Sequence, residues 1–142
     1  MREESHWTPR QVFELQEVLR TRALGGLSVG SSVDQVETLL GPAEQPKQRL
    51  GRKSKIWVTQ YGNVSVLTDR QRIIAVNIDF EGWRPTMVRA GSMEKWRLDE
   101  WEAYSRQEGC RVYRDLDVLR LTSPSAIVSL RADGVLHVAS LV

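Results

Sequence analysis

At 142 residues, 41% hydrophobic and 27% charged, the chain has the balance of one folded domain or of two small halves sharing a core, a composition that argues against disorder. A formal charge of +2 does not by itself imply a polyanionic partner, so a nucleic-acid role must rest on local clustering. Cys110 is the single cysteine, which excludes an internal disulfide or a cysteine-rich zinc site and suits a reducing compartment.

In chain order, the charged amino terminus lacks the apolar run of a secretion signal, and no segment reaches the ~20 apolar residues of a membrane span. A cytoplasmic protein without a membrane partner is expected. Thr8-Pro9 starts a helix over residues 8–24, with Val12, Leu15, Leu19 and Ala23 on one face and Gly25-Gly26 as its stop. Ser32 and Gln35 have capping-box spacing at the head of a second helix, about 32–40, which carries Val36, Leu39 and Leu40 and ends at Gly41-Pro42. Residues 41–55 show no period and read as a loop.

Three strands follow, 56–61, 63–68 and 72–80, with turns at Tyr61-Gly62-Asn63 and Asp69-Arg70-Gln71 that make sequence neighbours antiparallel neighbours. Residues 81–91, with Gly82, Pro85 and Gly91, form a connector between halves. A third helix, about 99–108, is expected to begin at an Asp99/Glu102 capping box and to bury Trp101 and Tyr104, with Trp96 just ahead. Strands at 111–113, 118–122, 126–131 and 135–141 complete the chain, and Asp133-Gly134 predicts a type I′ hairpin turn. The alternation of Val64 and Val66 with Ser65, and of Val128 and Leu130 with Ser129, suits a sheet with one face covered and one wet. The expected class is α+β. It would be a single domain, residues 1–142, built of two related helix-plus-antiparallel-meander units at about 27–82 and 92–142, with helices packed on one face of the sheet or sheets.

Gly30, Ser32, Val36, Leu40, Gly41 and Pro42, followed by a strand with Trp57 and Tyr61, resemble the SmpA/OmlA (BamE-like) family. The organisation is also similar to that of the β-lactamase inhibitory proteins, best over residues 27–80. The resemblance implies two helix-and-sheet units in tandem and a sheet face that grips another protein.

Catalytic chemistry has few candidates. His6 and His137 are the only histidines, and neither has a second ligand at metal-binding spacing, so no metal or other cofactor is expected. No GxSxG, Walker or Rossmann glycine pattern is present. Asp79, Glu81 and His137 are the residues an enzyme would use, but the expectation is a protein that is not an enzyme. Lys47, Arg49, Arg52, Lys53 and Lys55 place five positive charges in nine residues, which suits phosphate contacts, with Trp57 and Tyr61 beyond them to stack on bases. Five tryptophans tilt the balance toward protein binding, because Trp and Arg dominate interface hot spots. Trp83 and Arg84 in the connector are the expected anchor, joined by Trp57, Tyr61, Asn77, Asp79, Arg131 and His137. The expected partner is another protein, in the concrete version a toxin or enzyme that an inhibitor or immunity-type protein would occlude. The alternative is a nucleic-acid-binding accessory module that uses the basic loop 47–55.

Overall fold

Short β-branched runs separated by tight turns dominate residues 7–142, which the computed structural model describes; His6 lies outside them. In chain order the elements are β1 (Phe13–Glu14), α1 (Leu15–Thr21), α2 (Val33–Leu40), β2 (Gln48–Arg49), β3 (Trp57–Tyr61), β4 (Val64–Asp69), β5 (Arg72–Asp79) and β6 (Val88–Arg89). A 3-10 turn (Gly91–Lys95), α3 (Leu98–Glu108), β7 (Arg111–Asp115), β8 (Val118–Ser123), β9 (Ala126–Arg131) and β10 (Leu136–Leu141) follow. Eight strands form one antiparallel sheet in the order β2-β3-β4-β5-β10-β9-β8-β7, while β1 and β6 make a separate two-stranded parallel pair.

That sheet overturns the expected α+β class of two related helix-and-meander units. The molecule is mostly β, with helices of only seven, eight and eleven residues. The physical reason lies at the centre, where β5 and β10 pair from Val76↔Leu141 to Asp79↔Val138. A strand edge that is paired no longer has to be covered, so one hydrogen-bonded ladder runs across the whole chain. The helices add only patches to a common core: Leu15, Val18 and Leu19 from α1, Val36 and Leu40 from α2, and Trp101 from α3 join Val64, Val66, Ile73, Val76, Leu121 and Leu130. Each such side chain contributes about 1.5–3 kcal/mol on burial.

Register fixes the two faces. Val66, Val76, Leu141 and Ala126 are successive cross-strand partners on the core side. The neighbouring row, Gln60, Ser65, Asn77, Ser140, Ile127 and Thr122, faces the other way and is half-exposed. Strand side chains alternate between faces, so this second row forms an open face.

Local chemistry explains most boundaries and corrects several. The Ser32 hydroxyl accepts from Asp34 N at 3.2 Å and Gln35 reaches back to Ser32 N at 3.1 Å, so the capping box is present. Asp99 is not the cap of α3. The N-cap is Arg97, whose backbone N–H donates to Glu100 at 3.4 Å, and Asp99 lies in the first turn. The first helix occupies only Leu15–Thr21 of the expected 8–24, because Phe13 is drawn into extended pairing with Val88 and Val12 stays exposed. The Asp133-Gly134 hairpin exists, but only Gly134 has positive φ, and Gly134 N–H donates to Arg131 O at 2.8 Å. A type I turn followed by a bulge therefore replaces the expected type I′ turn.

Candidate functional site

The connector after β5 is held to the β3–β4 turn by two residues. Gly62 has φ +60, and a Cβ there would lie 2.1 Å from Pro85 O, so only glycine permits this approach. Asn63, 6% exposed, donates its backbone N–H to Pro85 O at 2.9 Å. Its side-chain Oδ1 accepts from Met87 N at 2.8 Å and Val88 N at 3.1 Å, and Nδ2–H donates to Val88 O at 2.9 Å. From the other side, Arg84 reaches the buried Glu44 carboxylate at 3.4 Å, which also accepts from Gly62 N at 3.0 Å. These bonds hold the base of the connector, while Trp83 stands 62% exposed with the Arg84 guanidinium 5.7 Å from its ring centre. A Gly-Asn turn reads from sequence as a turn and nothing more. The role of Asn63 was invisible there because its partners lie more than twenty residues away.

A charged cluster continues from the connector onto the open face. Asp79 Oδ1 accepts from Glu81 N at 2.9 Å and turns the chain out of β5. Glu81 then bridges two residues of the second meander: His137 Nδ1–H donates to one carboxylate oxygen at 2.6 Å, and Arg131 meets the other at 3.2 Å. Arg131 also reaches Asp133 at 3.5 Å. All four side chains are at least a third exposed, so each pair contributes only about 0–1 kcal/mol and the cluster remains open to exchange for other partners. Beside it a cleft of about 1010 Å³ opens between the connector and the β9–β10 turn, lined in part by Asp79, Glu81, Arg84, Arg89, Glu94 and Arg131.

The structure thus brings Trp83, Arg84, Asp79, Arg131 and His137 to one end of the sheet, with Asn77 next to them on the open face. It removes Tyr61 from the set. Tyr61 is 2% exposed, donates its hydroxyl to Gly41 O at 3.3 Å, and has its pKa pushed up to about 12, first by burial and then by the charge of Glu37. It is a core residue because it faces the covered side of β3.

Trp57 belongs to a second place, at the opposite end of β3. Lys47 and Arg49 lie over its ring at 5.0 Å and 5.2 Å, and Lys53, Lys55 and Arg70 line the same depression of about 440 Å³. The basic segment is not wholly a loop, since Gln48 and Arg49 pair with Val58 and Trp57. Arg52 is exposed and does not line the depression. Arg70, which sequence reasoning treated only as a turn residue, sits in a two-residue turn with Gln71, both at positive φ (51 and 67) without glycine or asparagine. That conformation costs on the order of 1–2 kcal/mol per residue and is supported by Val33 N–H donating to Gln71 O at 2.9 Å.

Two further residues resolve as packing. Trp101 is fully buried, edge-on to Trp96 with ring centres 4.7 Å apart. Burial pushes the Cys110 thiol up from its ordinary value, opposed by the Arg22 charge, which disfavours the reactive thiolate. Among the described residues no group of three His, Cys, Asp or Glu gathers around one metal position, and no helix is long and apolar enough to cross a membrane. Compared with protein-family models, curated proteins and solved structures, the chain has no significant match.

Proposed function

We propose that this chain binds another protein through Trp83 and the adjoining rim of the open sheet face, with Asp79, Glu81, Arg131 and His137 as the charged surround. In its sharpest form it is a cytoplasmic inhibitor or immunity-type protein that occludes a toxin or enzyme. The observation that carries the reading is Trp83, 62% exposed on a connector whose base is fixed by buried hydrogen bonds from Met87 N and Val88 N to the Asn63 side chain. A rigidly presented indole loses little entropy on docking, so its burial is returned as affinity. A rim with charges of both signs favours steering and register over raw strength.

The test is affinity capture from nuclease-treated lysate with the wild type, followed by titration of the captured partner against Trp83→Ala and Arg131→Glu. Trp83→Ala is expected to weaken binding about 30-fold or more, corresponding to ~2 kcal/mol. Unchanged affinity for both variants would sink the reading.

A second reading is favoured by the two cations gathered over Trp57: the basic depression contacts the backbone of single-stranded nucleic acid. Under it, a labelled oligonucleotide binds with a steep salt dependence that flattens when Lys47, Arg49, Lys53 and Lys55 become serine. Binding that is insensitive to salt would reject it.

A further inference from the structure

The two edges of the sheet differ sharply. β2, at one edge, is two residues long and runs into the lysine- and arginine-rich segment, two devices that blunt an edge against pairing. β7, at the other, has five residues, every one exposed, with Val112 and Tyr113 among them, and its hairpin tip carries Leu116 at 97% exposure. We propose that two copies of this chain associate by pairing their β7 strands antiparallel about Tyr113.

The register follows from the hairpin. Asp115 and Val118 flank the two-residue turn Leu116-Asp117 and are direct partners, which makes them a hydrogen-bonded pair. Alternation then turns the N–H and C=O groups of Tyr113 and Arg111 toward β8 and leaves those of Val112 and Arg114 pointing outward. A two-fold axis at Tyr113 sets Val112 against Arg114 of the second copy, so the outward groups of each satisfy the other. Tyr113 meets Tyr113 at the closer, non-hydrogen-bonded position.

The same axis sets Arg111 against Asp115 of the second copy, twice. Within one chain these two residues lie four apart along a strand, too far to meet, and neither forms a salt bridge among the described residues. Arg114 introduces no conflict, because its charge is met on its own chain by Glu102 at 3.0 Å. The pattern is therefore self-complementary, as an isologous contact requires. Two five-residue strands bury less than the roughly 1,200 Å² of a standard interface, so the dimer is weak and concentration-dependent.

Sedimentation of the full chain between about 10 μM and about 1 mM is expected to show the mass rising from monomer toward dimer and stopping there. Asp115→Arg and Arg111→Asp alone should each lower the association constant at least ~10-fold, and the charge-swapped double variant should restore it. Val112→Pro removes an outward N–H that the fold does not use; it should abolish dimerisation while leaving the circular-dichroism melt in place. A chain monomeric throughout this range, a series growing beyond dimer, single charge variants that associate like the wild type, a double variant that does not recover, or a Val112→Pro chain that still dimerises would each overturn the proposal.

Discussion

Asn63→Ala is expected to be the most costly polar substitution in the molecule. The side chain satisfies three backbone groups in a buried position, Met87 N, Val88 N and Val88 O, at 2.8, 3.1 and 2.9 Å. Alanine leaves all three without a partner, and each buried unsatisfied group costs about 1–3 kcal/mol. Water entering from the adjacent cleft recovers part of this, so the net loss is set at about 3–5 kcal/mol, a large share of a typical total stability of ~5–15 kcal/mol. At ~2–4 °C per kcal/mol for a chain of this size, Tm falls by roughly 6–20 °C. Urea unfolding followed by circular dichroism reads the free energy. Limited trypsin digestion reads the cause, since cleavage after Arg89, which Ala90 follows, should accelerate once the connector is released. Ser65→Ala, which loses only a hydroxyl donating to Gln60 at 2.9 Å on the open face, is the control and should cost ~1 kcal/mol or less. A loss for Asn63→Ala no larger than the control, with unaltered proteolysis, refutes the argument that this side chain fixes the connector.

Ser32→Ala should lose ~0.5–2 kcal/mol in thermal melts, and Asp99→Ala only ~0.3–1 kcal/mol, because the first is a cap and the second only a first-turn acid; a larger loss for Asp99→Ala than for Ser32→Ala would contradict the assignment. Trp101→Ala opens a cavity in the core and should cost ~3–5 kcal/mol, whereas Trp83→Ala should leave the urea midpoint nearly unchanged; the reverse order would invert surface and core. Tyr61 is held neutral, with its pKa raised from 10 to about 12. Its contribution is fully present below pH ~10 and is lost as pH rises through about 12, so the fall in stability measured over that window should shrink in Tyr61→Phe. Replacing Lys47, Arg49, Arg52, Lys53 and Lys55 with serine should shift Tm by only a few degrees, since the β2 pairing uses backbone groups and the removed side chains are largely exposed. A collapse of the fold would show that these stems are structural.

The sequence by itself determined what depends on near neighbours. The Ser32 cap, the strand alternation around Val64, Ser65 and Val66, the turns at Gly62-Asn63 and Arg70-Gln71, and the clustering of cations before Trp57 all follow from spacing within a few residues. Tertiary structure decided which strand edges meet. The pairing of β5 with β10 joins residues more than fifty positions apart, and its only local trace is that both strands are apolar on one face, which says nothing of the partner. Hence a chain that read as two helix-and-sheet units folds as one eight-stranded sheet with small helical covers. The same limit hid the meeting of Glu81 with His137 and Arg131, the grip of Asn63 on the connector and the burial of Tyr61. In each case the partner is set by the closing of the sheet, and no periodicity along the chain encodes that event.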